Sequence, residues 1–519
     1  MIFYSQETSI GLLIASLPAM LSVYLYFVAD KKNAALILLM LSALLLRLLM
    51  ISLDPYLHEW DERYHALVAK NMISFPFRPM LVVDPIMPYN YQDWGNNHIW
   101  LHKQPLFLWQ MAASMKLFGV NVIAMRLPSA IMDTLLVWLT YDICRKWMPN
   151  RPETAYLAAL LTTCSFYSLE LVSGSKSLEH NDIAFVFYTT CALLSWVRYF
   201  QGGLTTKWAI LTGIFIGLAV LNKWLTGYFI MGGWGIYLLL TYGRQIQLKH
   251  VLDFTLAVIA SIIVFVPWQQ YISHVFPVES AIEYQHNAEH FTKDFGHPGN
   301  TWTHFMYLGQ TYQEILLLFS IIGIIAFFRL KEVNKALGVS FLSMIIALLS
   351  FFTFFVKTKM PTYLFPLSPM IFSFMAIGVM ALVEWYSKRQ ATTSNLHWQR
   401  FAFVMLIGFV CLKPWDITRK RSAGLEARNI KINNTLIYKH LLEDEAKDHV
   451  IINCKSYENI ELMFFADVNA YHFIAPEKVL DSLQQLGYKF ASFEYPEIQK
   501  PPAYVYDDPE ILILKDQIR

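Results

Sequence analysis

The chain has 519 residues, of which 55% are hydrophobic and 15% are charged, and its mean hydropathy is +0.38. Soluble proteins typically carry about 25% charged residues, and a chain this apolar would expose large apolar patches if it folded in water. Its net charge of +2 provides no basic field to attract nucleic acid. The composition therefore excludes an ordinary soluble enzyme, a disordered chain and a nucleic-acid-binding protein. It predicts a polytopic α-helical membrane protein.

Apolar segments follow one another from the N-terminus to about residue 414. A bilayer core needs about 20 apolar residues per helix, and by that rule we expect about twelve transmembrane helices. They are predicted near 10–28, 34–53, 122–142, 153–171, 183–200, 207–222, 224–242, 251–268, 309–328, 336–356, 362–385 and 400–414. The N-terminal MIFYSQETSI lacks a basic n-region, so we expect the first apolar segment to be a retained span rather than a signal peptide.

Basic residues are concentrated in alternate loops between these segments, for example Lys31 with Lys32 and Arg145 with Lys146. Cytoplasmic loops of membrane proteins carry such a Lys/Arg excess. The asymmetry predicts that both termini lie on the extracytoplasmic side, together with two long loops at 54–121 and 269–308. Chemistry at the membrane surface is expected in those loops.

The composition changes near residue 426. Short β-rich runs such as VIINC and ILIL alternate there with amphipathic stretches such as VLDSLQQLGY, which Gly487 is expected to end. We therefore predict a transmembrane domain over 1–425 and a small extracytoplasmic α/β domain over 426–519.

The segment HEWDERYHALVAKNM at 58–72 follows the second predicted span and opens with acids. Asp61 and Glu62 are adjacent, so their side chains point about 100° apart on a helix and cannot form a facing carboxylate pair. One of them can act as a base while the other orients it. The alternative is that these acids only cap the helix and favour its dipole.

Two further segments carry lysines next to prolines. Lys103 precedes a helix that is expected to begin at Pro105. Lys357, Lys359 and Tyr363 lie in KTKMPTYLFPLSP. These groups suit a phosphate, but lysine and tyrosine also anchor helices at membrane interfaces, and the sequence leaves both interpretations open.

Several ionisable residues fall within spans, where each costs several kcal/mol unless it serves a site or a partner. They map to one end of their spans and are Arg47, Arg126, Glu170, Asp182, Lys223 and Lys357. Snorkelling or pairing between helices explains any single one. Their convergence on one membrane face instead indicates a shared site.

His286 and His290 are spaced i,i+4 in EYQHNAEH and so share a helical face. Two histidines on one face can bind a metal ion. Because no clear third ligand accompanies them, a hydrogen-bonded loop helix is the favoured interpretation, and no residue is assigned as a metal ligand. The sequence identifies no cofactor: we expect no organic one and leave a divalent metal ion open.

Six motifs in order resemble the membrane glycosyltransferases of the dolichyl-phosphate-mannose protein mannosyltransferase type. This is glycosyltransferase family 39 of the GT-C superfamily, and its bacterial branch includes the lipid A aminoarabinose transferase. The motifs are WDERYHALVAKNM, HKQPLFLW, MRLPSAI, LEHNDIAFVFY, LAVLNKWLTG and KTKMPTYLFPLSP. Two departures are Gln104, where the family usually has proline, and Trp224, where it has glycine. The resemblance covers roughly residues 55–370 and implies a GT-C-like fold.

The resemblance also implies roles for individual residues. Asp61 is the candidate base or acceptor-positioning group, supported by Glu62, and burial is expected to raise its pKa. Asp182 corresponds to the family's second acid and is expected to orient a cation or sugar hydroxyls. The candidate phosphate-binding residues are Arg63, Lys103, Arg126, Lys223, Lys359 and Tyr363.

The function implied is the transfer of a pentose or hexose from a polyprenyl phosphate to lipid A, another glycolipid or a protein. The transfer is expected to proceed with inversion, at the periplasmic face of a bacterial inner membrane. The expected partners are the polyprenyl-phosphate donor, a glycolipid or protein acceptor, and membrane lipid, with no nucleic acid. One alternative is a transporter or flippase for a lipid-linked sugar, which needs the cations but not the base. The other is a non-enzymatic protein whose 426–519 domain binds a partner.

Overall fold

The computed structural model describes residues 3–88, 97–175, 179–331, 333–389, 396–422, 425–441, 446–494, 501–515 and 518. Helices dominate the first half of the chain. They are α1 (Phe3–Phe27), α2 (Lys32–Ser52), α3 (Asp61–Met72), α4 (Pro105–Phe118), α5 (Val122–Trp147), α6 (Pro152–Thr163), α7 (Phe166–Val172), α8 (Glu179–Gln201), α9 (Thr206–Lys223), α10 (Phe229–Tyr242) and α11 (Leu248–Val275).

The helices of the next part of the chain are α12 (Pro277–Glu289), α13 (Thr303–Tyr312), α14 (Glu314–Arg329), α15 (Lys335–Ser350), α16 (Ser368–Arg389), α17 (Leu396–Leu412) and α18 (Pro414–Lys420). A π-helical turn at Phe351–Phe355 extends α15, and a 3-10 helix at Pro361–Leu367 precedes α16. Two sequence predictions are confirmed in the loop after α2. A helix begins at Asp61, and Pro105 occupies the first turn of α4.

Eight helices in the described residues are long and apolar enough to cross a membrane, or ten if two bent helix pairs each count as one span. The bent pairs are α6 with α7, at 43°, and α13 with α14, at 99°. The expected count of about twelve stays a prediction: the segments predicted near 207–222 and 224–242 are helical but are not among these eight to ten spans. They form α9 and α10, which are 18 and 14 residues long and are separated by a 3-10 helix. At about 1.5 Å per residue, α10 is shorter than the bilayer core.

The bend between α6 and α7 is stabilised by a buried arginine from α2. Arg47 donates hydrogen bonds to the carbonyl oxygens of Thr162 and Thr163, at 2.9 and 2.7 Å, where α6 ends. Its guanidinium also pairs with Asp133 of α5 at 2.8 Å, and both side chains are fully buried. Inside a bilayer a helix can break only where its freed carbonyls find other donors. Arg47 supplies them, so its charge within a span has a structural role.

The last part of the chain contains a parallel sheet with strand order β1-β2-β3. Its elements are α19 (Glu426–His440), β1 (His449–Ile452), α20 (Glu458–Phe465), α21 (Glu477–Gln485), β2 (Lys489–Phe493), α22 (Ala503–Tyr506) and β3 (Ile511–Leu514). The predicted strands at VIINC and ILIL are observed. Gly487, just after α21, has a φ of +91°, which suits glycine at a helix end. The boundary at residue 426 stays a prediction.

This sheet-containing region packs against the loop that follows α2. Helix α20 contacts α3, and the Lys70 ammonium donates to the carbonyl oxygens of Met463 and Phe464 at 2.7 and 3.1 Å. Arg63 of α3 lies 3.2 Å from Glu461 of α20. Helix α3, which begins at Asp61, is therefore held between the membrane helices and the C-terminal region.

Candidate active site

A cavity of about 1350 Å³ lies where the loops after α2 and α11 meet the ends of several membrane helices. Its lining includes charged and polar side chains: Asp61, His102, Lys103, Asn181, Asp182, Asn222, Lys223, His286, Asn287, His290 and His297. It also includes many apolar side chains: Leu225, Phe229, Phe291, Phe295, Ala347, Leu348, Phe351, Phe352, Val356 and Met360. A cavity with both kinds of lining fits a ligand with a polar head and an apolar tail.

Asp61 and Lys103 form an ion pair in the lining of the cavity, with 3.0 Å between Lys103 Nζ and Asp61 Oδ2. Both side chains are largely buried but keep 14% and 18% of their surface exposed. Burial has the largest single effect and favours the neutral acid, yet Lys103 together with His65 and His102 outweighs it and lowers the pKa of Asp61 below its usual value. The expectation of a raised pKa is therefore wrong. Asp61 is ionised at neutral pH and able to accept a proton.

A second ion pair lines the same cavity. Asp182, in the first turn of α8, pairs with Lys223 at the end of α9. The Lys223 ammonium also lies 5.3 Å from the centre of the Tyr363 ring, which is within the range of a cation–π contact. Asp182 interacts electrostatically with Asp61 and Lys103 as well. The structure thus brings together five of the predicted site residues, from α3, α8, α9, the loop before α4 and the 3-10 helix before α16.

Glu62 lies behind Asp61 in a fully buried network rather than on the cavity. Its carboxylate accepts two hydrogen bonds from Arg126 of α5, at 2.7 and 2.9 Å, and lies 3.0 Å from His180 Nε2. His180 Nδ1 is in turn 2.8 Å from the Ser129 hydroxyl. Although burial opposes ionisation, Arg126 and His180 hold the pKa of Glu62 well below its usual range. This network fixes the beginning of α3 and therefore the position of Asp61.

Space for this network depends on Gly174. Its φ is +79°, and an added Cβ would lie 2.2 Å from Glu62 Oε1. Any side chain at this position would displace the Glu62 carboxylate and strain the backbone.

Two other predicted phosphate-binding residues point elsewhere. Arg63 pairs with Glu461 of α20. Lys359 is buried, and its ammonium donates to the carbonyl oxygens of Phe352, Thr353 and Val356 at 2.8, 2.8 and 2.6 Å. Lys359 therefore supplies hydrogen-bond donors for carbonyl oxygens at the end of the π-helical turn. Neither residue is among the described residues that line the cavity.

The histidine pair also lines the cavity. The His286 and His290 rings lie 5.5 Å apart, and His290 Nδ1 is 2.8 Å from the Thr358 hydroxyl. Burial lowers the pKa of His290 to about 4, so it is neutral at pH 7. His102, which is 3.2 Å from Glu283, lies beside them. No group of three or more His, Cys, Asp or Glu residues with metal-binding geometry occurs in the described part of the chain.

Sequence reasoning missed three kinds of site residue. It did not single out His102, His180 or the pair Asn181 and Asn222, which line the cavity or support it. The sequence held one signal for the asparagines, because each directly precedes a residue already chosen: Asn181 precedes Asp182 in HNDIAF, and Asn222 precedes Lys223 in LNKW. It also missed Trp60, directly before Asp61, whose ring lines the cavity.

We expect Lys103→Gln to shift the pH dependence of activity. The Lys103 charge lowers the pKa of Asp61, so its removal raises that pKa while burial continues to favour the neutral acid. A base acts only when deprotonated, so the acidic limb of the pH–rate profile moves toward neutral pH. Initial rates from pH 4 to 9, each normalised to its own maximum, test this shift.

Lys116→Gln is the matched control, because it removes the same charge from an exposed position on α4. Its normalised profile is expected to overlay that of the unaltered protein. An unshifted acidic limb in Lys103→Gln would contradict the coupling between Lys103 and Asp61.

Comparison with known proteins relates this site to a family. Residues 102–271 match the family model of dolichyl-phosphate-mannose-protein mannosyltransferases. A curated relative from Pseudomonas fluorescens, an undecaprenyl phosphate-alpha-4-amino-4-deoxy-L-arabinose arabinosyl transferase, is 25% identical over 53% of this chain and 50% of its own length. A Pseudomonas aeruginosa relative with the same description is 27% identical over 34% of this chain and 32% of its own. The chain thus spans half the length, or less, of these curated relatives.

Solved structures give the fold. ArnT from Cupriavidus metallidurans bound to undecaprenyl phosphate superposes with a TM-score of 0.60 and 13% identity, covering 92% of this chain and 89% of its own. The oligosaccharyltransferase AglB from Archaeoglobus fulgidus, in complex with an inhibitory peptide and a dolichol-phosphate, has a TM-score of 0.52 and 14% identity over 83% and 63% of the two chains. Part of the sequence is thus similar to dolichyl-phosphate-mannose-protein mannosyltransferases and to aminoarabinose transferases, and the fold is similar to that of ArnT.

Proposed function

We propose that the protein transfers a sugar from a polyprenyl-phosphate donor to an acceptor at the extracytoplasmic face of the membrane. The observation that carries the proposal is the lining of the cavity. The ion pairs Asp61–Lys103 and Asp182–Lys223 line it together with many apolar side chains, several of them phenylalanines. A polyprenyl phosphate likewise combines a charged head with an apolar chain. The descriptions of the curated relatives name such a donor.

In this proposal Asp61 is the base. Its carboxylate takes the proton from the acceptor hydroxyl as the acceptor oxygen attacks the anomeric carbon. The bond between that carbon and the phosphate oxygen breaks in the same step, and polyprenyl phosphate leaves with the electron pair. A single displacement inverts the anomeric configuration.

The phosphate-binding group of the proposal is smaller than the set considered from the sequence. Lys103 and Lys223 line the cavity and keep part of their surface exposed, and the Tyr363 ring lies beside Lys223. These three side chains can stabilise the charge that develops on the leaving phosphate. Asp182 holds Lys223 in place through their ion pair. The partners of Arg63, Arg126 and Lys359 within the protein support structural roles for those three residues.

The membrane orientation is part of the proposal. The Lys/Arg asymmetry between alternate loops favours placing the cavity and the C-terminal region on the periplasmic side of a bacterial inner membrane. Cysteine-accessibility labelling in intact cells tests this orientation. A cysteine introduced at an exposed position, for example by Leu486→Cys, reacts with a membrane-impermeant maleimide only if that position faces outward.

Reconstitution of the full-length protein tests the activity. The protein in lipid nanodiscs is incubated with undecaprenyl phosphate carrying 4-amino-4-deoxy-L-arabinose and with lipid A, and the products are identified by mass spectrometry. We expect sugar-modified lipid A and free undecaprenyl phosphate. Movement of the donor across the membrane of sealed vesicles without any transferred sugar would instead support the flippase alternative.

A further inference from the structure

Trp60 is an exposed aromatic residue at the edge of the cavity. It directly precedes Asp61, lines the cavity, and keeps 55% of its surface exposed. Large aromatic side chains are usually well buried, and an exposed one inside a cleft commonly contacts a ligand. The residue is not part of the charged machinery described above.

The backbone of Trp60 is in a conformation that a bulky side chain rarely adopts. Its φ is 63° and its ψ is −124°, and it occupies the N-cap of α3 without forming a side-chain cap. Glycine adopts such a positive φ more easily than tryptophan does. At the N-cap of a helix, Ser, Thr, Asp and Asn are preferred over tryptophan. Strained backbone of this kind concentrates at ligand-binding positions. The strain therefore indicates that the indole ring serves something other than stability.

Anchoring to lipid headgroups does not explain this position. An interfacial tryptophan has its ring on the lipid-facing surface, whereas Trp60 lines the cavity next to Asp61. Its ring lies 6.3 Å from the ring of Tyr457, at the start of α20 in the C-terminal region. Tyr457 also has a positive φ, of 64°. Two aromatic rings from distant parts of the chain thus meet at the edge of the cavity.

We infer that Trp60 is a stacking surface for a sugar ring of the acceptor, so that the acceptor is a glycolipid rather than a peptide. The inference rests on the proposed function. The apolar lining residues and the Lys223–Tyr363 contact are assigned to the donor. We therefore assign Trp60, which directly precedes Asp61, to the binding of the acceptor. The C–H face of a pyranose packs flat on an indole ring, while its hydroxyl can reach the adjacent carboxylate.

Binding to the full-length protein in detergent micelles tests the inference without requiring turnover. Native mass spectrometry compares lipid A, which has a sugar headgroup, with phosphatidic acid, which has a phosphate but no sugar, and with a serine-containing peptide. The unaltered protein is expected to prefer lipid A. Because an aromatic contact is worth up to about a tenfold change in affinity, Trp60→Ala should lose most of a roughly tenfold preference. Trp60→Phe should keep most of it.

Trp302→Ala is the matched control. Trp302 is 69% exposed but is not among the described residues that line the cavity, so its replacement should leave the preference unchanged. Thermal unfolding confirms that each variant is folded, and Trp60→Gly should be at least as stable as the unaltered protein because it relieves the backbone strain.

Unchanged lipid A preference in Trp60→Ala would overturn the inference, as would equal binding of lipid A and phosphatidic acid by the unaltered protein. Peptide binding that depends on Trp60 would also overturn it, in favour of a protein acceptor. Failure of the proposed function has a different signature: the unaltered protein transfers no sugar in the reconstituted assay, whatever it binds.

Discussion

Asp61→Asn is expected to lower kcat by about 10²–10⁴-fold, the contribution of a positioned acid or base. The amide has nearly the same size as the carboxylate, so the cavity keeps its shape, but it cannot accept the acceptor's proton. Donor binding should change little, because Lys103, Lys223 and Tyr363 remain. Single-turnover rates at saturating donor and acceptor, with donor affinity measured separately, test this prediction.

Glu59→Gln is the matched control for Asp61→Asn. Glu59 lies two residues away but is 59% exposed and pairs with Lys431 of α19. Its replacement should leave kcat within about twofold, since surface ion pairs contribute little. A normal transfer rate in Asp61→Asn would contradict the role of Asp61 as the base.

Arg126→Met is expected to cause the largest loss of stability, about 3–5 kcal/mol. Arg126 and Glu62 are both fully buried. Removing the guanidinium leaves the Glu62 carboxylate buried, with only the His58 backbone N–H and His180 beside its oxygens among the described residues. Because pairing holds the pKa of Glu62 below its unfolded value, this stabilisation is present above the unfolded pKa. It is lost as the pH falls through the folded pKa. Unfolding in detergent, followed at pH 7 and at lower pH, measures both effects.

Arg151→Met provides the comparison, because Arg151 and Glu384 form a pair at 2.8 Å in which the side chains are 29% and 38% exposed. Losing this ion pair should lower the free energy of unfolding by less than about 1 kcal/mol. The double variant Arg126→Met with Glu62→Gln should recover part of the stability lost in Arg126→Met, since no uncompensated charge then remains. Equal losses from Arg126→Met and Arg151→Met would contradict the structural role of the Glu62 network.

The sequence predicted the elements whose signal is local. Charge followed by apolar periodicity located the start of α3, and proline located the start of α4. The short strands near the C-terminus also had a local pattern. The exact span count stays a prediction, because apolar composition continues where the α-helix does not, at the 3-10 helix between α9 and α10. Composition measures how apolar a segment is, and it does not show where hydrogen bonding breaks.

The pairing of charges lay beyond the reach of the sequence. Residues Glu62 and Arg126 are 64 positions apart, and the partner of Arg63 is Glu461 of α20. Sequence position indicates how deep a charge lies in a span but not which neighbour it faces. All five candidate cations therefore fitted a phosphate equally well: Lys103, Lys223, Arg63, Arg126 and Lys359. Of these, only the first two are among the described residues that line the cavity.

The pKa of Asp61 shows the same limit. Burial alone predicts a raised pKa, but a lysine 42 positions along the chain lies 3.0 Å away and, together with His65 and His102, reverses the direction. The order of the motifs indicated loops that line the cavity, whereas the electrostatics of the site required the structure.

Mass spectrometry of lipid A, surface glycolipids and envelope proteins from cells tests the central claim most directly. The cells express the unaltered protein, no protein, or Asp61→Asn at equal membrane abundance. The proposal predicts a sugar modification on a lipid or protein only with the unaltered protein. The same modification in cells with Asp61→Asn, absent without the protein, would contradict Asp61 as the base and with it the proposed mechanism of transfer.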